Sequence, residues 1–441
     1  MWVATLLAVV GLLGVAVTTQ FTGYRLGGSI TVPVLAVYTL KNVLMLPVFV
    51  LSTIAAYIGL WYLRRRTLIY GRDELLAAFV IGTSVPLVVI LGLIQVGFDA
   101  DIIVLIGSIL PGLAAYNYHS IKPEFRRNDL LATVGLFTGL IVLGLVLVSP
   151  GIATRFGTVT PPVLFAATAD VAVYNNAVVD ITTEAVVISR EIIAGLFIAG
   201  LIISERIRSR FGVRVGIITA VLLAVYANTN YWLIIMYVIL LVLAFGFVQA
   251  VNYATLRYGR VLLGTTTAFA LLMAVPLTLS LPIGRGLSAF FVAFLAGITA
   301  YNAHVTGSFD RRLVLPLQAV VFVPAVLVIR LFSAPEPLGI PQELTLPVIL
   351  TGILVVVVGV GIGGWYSVAQ PDETEVQSVS VLSGDDYEST TAYEIYGRGF
   401  GWSWRLRVQE RGCNRRTSLR YVTRGPTGYR QRPRSGCLAH W

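Results

Sequence analysis

The chain has 441 residues, 56% of them hydrophobic and only 12% charged, with a mean hydropathy of +0.82. Soluble domains carry roughly 25% charged residues, so a soluble globular domain is excluded. The formal charge of +10 belongs to the C-terminal tail, where 11 Arg stand against Glu410 between Arg398 and Trp441 and the rest of the chain sums to zero.

Repeated apolar runs of about 20 residues read as helices crossing a ~30 Å hydrocarbon core. In chain order, spans are expected at 2–19, 28–40, 43–63, 74–94, 102–118 and 129–149, then at 190–204, 215–227, 230–251, 261–281, 287–303 and 313–332, with a last one at 345–366. The first run starts at Met1-Trp2-Val3 with no basic stretch before it, which argues for a span and against a cleaved leader. The segments 28–40 and 215–227 are short and are candidates for re-entrant pieces covered by protein. With the N-terminus outside, 16 of the 21 Lys and Arg of the body fall in inner loops and five outside, so this orientation is expected, with a cytoplasmic C-terminus. Residues 150–189 are expected to form an extracytoplasmic linker. After 366 the chain turns acidic and Ser/Thr-rich, a disordered tail. From about 397 it becomes an Arg-, Gly- and Trp-rich mixture, read preferentially as a frame-shifted end rather than as an arm for anionic lipid or nucleic acid.

The body repeats itself. Gly112–His119 (Gly-Leu-Ala-Ala-Tyr-Asn-Tyr-His) returns as Gly297–His304 (Gly-Ile-Thr-Ala-Tyr-Asn-Ala-His) at an offset of 185, and Arg126-Arg127 returns as Arg311-Arg312 at the same offset. Tyr70-Gly71-Arg72 returns as Tyr258-Gly259-Arg260, and Leu35–Tyr38 as Leu223–Tyr226, both at 188. The expected fold is therefore an all-α polytopic membrane protein with about 13 transmembrane helices. It divides into a membrane repeat over 1–149, the linker, a second repeat over 190–332, an extra helix within 333–366 and the tail 367–441. Six spans per copy make the repeats parallel.

Pro111-Gly112 is expected to break the 102–118 span near its inner end. Tyr116, Asn117 and His119, with Tyr301, Asn302 and His304 after Gly297, would then face a headgroup or a partner at the inner boundary. The plain alternative is interfacial anchoring by Tyr and His. The Tyr-Gly-Arg loops offer Arg72 and Arg260 to phosphate or carboxylate, the plain alternative being positive-inside topology. That alternative is also the reading of Arg64-Arg65-Arg66. Neither Lys41 nor Lys122 stands in a phosphate-loop pattern. Both cysteines, Cys413 and Cys437, lie in the tail, so the body has no thiolate site, and the two body histidines make a weak metal case. No catalytic residue and no cofactor is expected. The acids Asp99 and Asp101 fall in an outer loop, and the absence of a mid-span ionisable group weakens a reading as an ion-coupled transporter.

Several of these features resemble the PgsC/CapC family, the small membrane subunit of poly-γ-glutamate capsule synthases. They are Gly27-Gly28 followed by Val32-Pro33, then Tyr70-Gly71-Arg72, then Pro111-Gly112-Leu113-Ala114-Ala115 with the Asn moved from 116 to 117. The likeness covers roughly 1–149 and more weakly 190–332, where Ala296 stands for Pro111. It implies an accessory subunit that anchors a cytoplasmic ATP-dependent ligase related to Mur ligases (PgsB/CapB-like), works beside a PgsA/CapA-like subunit, and guides an anionic polymer outward. A secondary transporter built from parallel repeats and a purely structural anchor are the alternatives.

Overall fold

The computed structural model describes residues 1–67, 72–95, 109–180, 190–211, 216–256, 258–306 and 311–368, and in the tail 393–399, 402–408 and 420–422. It divides into two units, Met1–Val368 and Ala369–Trp441.

The helices of the first unit are α1 (Trp2–Thr22), α2 (Thr31–Lys41), α3 (Met45–Arg66), α4 (Arg72–Gln95), α5 (Ile109–His119), α6 (Arg126–Leu147), α7 (Pro150–Phe156) and α8 (Asp170–Tyr174). They continue as α9 (Arg190–Phe211), α10 (Ile217–Thr229), α11 (Tyr231–Thr255), α12 (Arg260–Ser280), α13 (Gly286–Val305), α14 (Arg311–Phe332) and α15 (Leu346–Val368). Leu-, Val- and Ala-rich runs take this form because hydrocarbon offers no partner for backbone N–H and C=O groups, and a helix satisfies them internally. Among the described residues eight helices are long and apolar enough to cross a membrane: α1, α3, α6, α11, α12, α13, α14 and α15. The chain is a multi-pass membrane protein.

At 11 and 13 residues, α2 and α10 rise roughly 16–20 Å at the α-helical pitch, too little for a ~30 Å core. Every residue of α2 from Thr31 to Leu40 is buried, the mark of an all-apolar helix inside a bundle. It lies against α1 and α6, and α10 lies against α9 and α14. A compact trio, α3, α4 and α5, is matched in kind by α11, α12 and α13; α1 packs on α12, and α15 on α14.

One expectation is corrected. From Ile109 onward α5 is continuous through Pro111 and Gly112, so this pair does not break the helix there. Gly112 instead lets α5 touch the α4 backbone: a Cβ on it would lie 2.7 Å from the Ala78 carbonyl carbon. The part of the expected linker that is described, to residue 180, packs into the core. Val163, Leu164 and Phe165 are each 1% exposed and join the main core with Leu7, Phe290 and Ala293. The amino group of Met1 donates to Pro161 O at 2.6 Å, and Trp2 Nε1 donates to Phe156 O at 2.9 Å. At the same end, residues 333–342 cover the last turn of α10, with Glu336 N donating to Asn228 O and Ile340 N to Ala227 O. Arg285 pairs with Glu336 beside them. Phe165→Ala is expected to lower stability by about 3–5 kcal/mol through the cavity it leaves, read as a loss of thermal stability in detergent.

In the second unit three strands, β1 (Tyr393–Gly399), β2 (Trp402–Val408) and β3 (Arg420–Val422), form an antiparallel sheet in the order β1-β2-β3. Trp402, Trp404, Leu406 and Val408 alternate with Ser403, Arg405 and Arg407. That is the period of a strand, inside a stretch whose composition reads as an unpatterned mixture. Of the tail expected to be disordered from 367 onward, residues 369–392 and most of the Arg-rich end lie outside the described residues.

Candidate functional site at the Asn117 corner

α1 ends, α2 begins, and α5, α6 and α12 meet the same edge of the bundle. The turn from α1 to α2 carries positive φ at Gly23 (72°), Leu26 (49°), Gly27 (63°) and Gly28 (120°). At φ 120° only glycine is comfortable, and a Cβ on Gly28 would in addition stand 2.8 Å from Asn117 Nδ2. This turn has no helix to satisfy its amides, and Asp129, on the first turn of α6 and 1% exposed, does so. Its Oδ1 accepts from Arg25 N at 2.6 Å and from Leu26 N at 2.9 Å. Buried carboxylates are retained where such partners offset the loss of water.

Asn117 is 3% exposed. Its Nδ2 donates to Gly27 O at 3.2 Å and to Leu113 O at 2.9 Å, stitching the turn to α5. Its Oδ1 accepts from Arg260 Nη2 at 2.7 Å. Arg260 opens α12 directly after Gly259, whose φ is 68°. Its Nη1 is buried without a hydrogen-bond partner, and its charged neighbours are Arg25 and Asp129. The Tyr258-Gly259-Arg260 motif of the second half thus reaches the Tyr116-Asn117 corner of the first. Tyr116 is half-buried and Tyr258 exposed. Tyr70, Gly71 and the side chain of Arg72 lie outside the described residues, as do Asp99 and Asp101.

The histidines and the Arg pairs sit differently. His119, 7% exposed, stacks on Tyr57 with ring centroids 4.1 Å apart, and its Nε2 is 3.0 Å from Tyr57 O. Arg126 donates to Ile121 O at 3.2 Å and reaches His119 O at 3.5 Å. Arg311 does the same for α13, donating to Ala303 O at 2.7 Å, with Thr306 O at 3.2 Å and His304 O at 3.3 Å. Both cap carbonyls that a helix end leaves open. Arg127 and Arg312 are exposed, as is Asn302, while Tyr301 is half-buried. Gly297 packs on Thr267, whose Cα would be 2.6 Å from an added Cβ. Among the described residues no three His, Cys, Asp or Glu side chains are grouped as a metal site.

Two acids escape a reading from sequence. One is Asp129; an acid on the first turn of an apolar span, just past Arg126-Arg127, is its signal. The other is Glu74, 4% exposed on α4. Arg64 meets it with Nε at 2.8 Å from Oε1 and Nη2 at 2.9 Å from Oε2. Arg64 is therefore more than a topology residue: its ion pair with Glu74, with one hydrogen bond from Nη2 to Oε2, ties α3 to α4.

With this geometry in view, residues 10–126 match the family model described as Capsule biosynthesis CapC. That segment is of the CapC family. The CapC match runs from within α1 to the start of α6, so it includes Gly27-Gly28, Asn117 and His119 but ends short of Asp129 and far short of Arg260. For the matched segment, the family's description suggests a membrane subunit in capsule synthesis. Comparison with curated proteins gave no match, and comparison with solved structures gave none either.

Proposed function

We propose that this chain is the membrane subunit of a complex that makes and exports an anionic, amide-linked capsule polymer of the poly-γ-glutamate kind. In this reading it holds a cytoplasmic PgsB/CapB-like, ATP-dependent ligase against the Asn117 edge, works with a PgsA/CapA-like subunit, and shields the polymer from lipid as it passes. The N-terminus lies outside and the tail inside. The carrying observation is Arg260 on Asn117 at 2.7 Å: two motifs picked out by recurrence, 143 residues apart, meet at one corner. A tandem duplication fits the packing, since the trio α3–α5 is matched by α11–α13, and α2 on α6 by α10 on α14. Thirteen crossings in two parallel sets remain part of this proposal.

The test is a pull-down of the detergent-solubilised protein from its host. Recovery of a Mur-type ligase supports the reading. Recovery of the subunit alone in several mild detergents sinks it and favours the transporter, for which one observation speaks: Tyr237, Thr299 and Gln318 gather within the second half, each at most 7% exposed. Buried polar groups of this sort line transport pathways. Tyr237→Phe should then abolish substrate uptake while leaving polymer untouched. If polymer output is unchanged when Asn117, His119, Asn302 and His304 are all replaced by Ala, the chain is only an anchor.

A further inference from the structure

The corners at Asn117 and Asn302 are related by an offset of 185, yet they are built differently. Asp129, which fixes the turn before α2, corresponds to Val314, 6% exposed, whose side chain accepts no hydrogen bond. Asn117 is buried and holds three partners, whereas Asn302 is exposed. At the offset of 188, the ion pair Arg64–Glu74 corresponds to Asn252 and Leu262, and Asn252 Oδ1 is buried with no partner. His119 rests on Tyr57; its counterpart His304 has a buried Nδ1 with no partner, and Phe245 stands where Tyr57 would be. Each difference removes a charge or a partner from the second half and keeps it in the first.

We propose that the chain carries one working corner, at Asn117, and one scaffold corner, at Asn302, and that Asp129 is the positioning residue that sets them apart. The inference rests on the reading of these corners as the functional surface and goes beyond it by making them unequal. A surface that must present backbone and guanidinium groups in one geometry needs its turn held before the partner arrives. Asp129 does that by ordering Arg25 and Leu26, which places Gly27 O under Asn117 and Asn117 Oδ1 under Arg260. Val314 cannot. The second half keeps its Tyr-Gly-Arg because Arg260 serves the first half's corner and not its own. A duplicated chain, unlike a pair of identical subunits, can specialise its halves in this way, one for contact and one for packing.

The experiment uses the full chain expressed in the host lacking its own copy. Surface anionic polymer is measured per unit of the chain in the membrane for Asn117→Ala, Asn302→Ala, Asp129→Ala and Asp129→Asn. Asn117→Ala and Asp129→Ala are expected to lower polymer by about tenfold or more at unchanged membrane level, as misplaced working groups do. Asn302→Ala should stay within about twofold, as surface substitutions usually do. Asp129→Asn keeps an oxygen that can accept from both amides, so it should retain most of the output. Equal losses at Asn117 and Asn302, or a loss at Asn302 alone, overturn the inequality while leaving the corners as a functional surface. No loss in any variant overturns it together with the corner reading. Asp129→Asn failing as badly as Asp129→Ala, with both chains present in the membrane, overturns the positioning role. Should Asp129→Ala not accumulate, the Asn117 against Asn302 comparison decides the inequality and Asp129→Asn decides the role.

Discussion

Gly112→Ala is expected to part α4 from α5 and to be among the costliest single methyl additions at the described glycines. A Cβ at Gly112 would collide with the Ala78 carbonyl, standing 2.7 Å from its carbon and 3.0 Å from Phe79 Cα. The contact is reciprocal, because a Cβ at Gly82 would stand 2.5 Å from Gly112 N and 2.8 Å from its Cα. Ala78 and Gly82 are four residues apart, so they form a small-xxx-small face of the sort that lets membrane helices approach backbone to backbone. Side chains at such a contact can swing aside; backbone cannot, and the helices must separate. Overpacking typically costs about 1–3 kcal/mol, and a rigid backbone neighbour puts this site at or above the upper end. Thermal unfolding in detergent and the amount of chain in the membrane are the measurements. Gly139, which has nothing within 4 Å of an added Cβ, supplies the control: Gly139→Ala should change stability by no more than about 0.5 kcal/mol. Equal stability of the two variants would show that the crossing is looser than drawn. Gly297→Ala should behave like Gly112→Ala, its neighbour being the Thr267 backbone.

Gly112 also shows what is legible in a sequence and what is not. Its recurrence at 297 marks it, but the sequence offers only a propensity, and Pro-Gly reads as a breaker. The partner that gives the glycine its purpose lies 30 or more residues earlier on α4, and no local pattern points to it. Helix positions, by contrast, are legible because hydrophobic runs of bilayer length leave little choice. The unusual shortness of α2 and α10 is visible for the same reason. The stretch Val163–Phe165 reads as loop because Pro161, Pro162 and Asp170 flank it, yet three consecutive apolar residues are its signal for burial. At the corner, recurrence names Asn117 and Arg260 but gives each the wrong neighbour. An offset pairs equivalent residues, Asn117 with Asn302 and Arg260 with Arg72, whereas the fold pairs Asn117 with Arg260. Charge counting hides Arg64 and Glu74 in a similar way, since a basic run at a span end is sufficiently explained by topology.

The second large effect is expected at Asn117→Leu. The substitution removes the acceptor of Arg260 Nη2 while Nη1 already lies buried without a partner, leaving a partly enclosed guanidinium with little to hold. It also frees Gly27 O from the amide that holds it. Hydrogen bonds to charged groups are worth about 1.5–3 kcal/mol, and the stranded partner carries most of that penalty. A loss of about 2–3 kcal/mol is therefore expected, measured by chemical or thermal unfolding in detergent. Arg260→Met should cost less, because it deletes the charge and leaves only Asn117 Oδ1 short of one donor. The double variant decides the matter. If the two side chains act on each other, Asn117→Leu with Arg260→Met will be more stable than the sum of the single losses predicts by about 1 kcal/mol or more, as contacting residues are. Strict additivity would mean that the 2.7 Å contact carries no energy and that the halves are joined at this edge by apolar packing alone. A positive coupling would mean more than stability. Arg260 belongs to the second half and Asn117 to the first, so whatever binds at this corner would bias the seam between the halves, and whatever loosens that seam would weaken the corner.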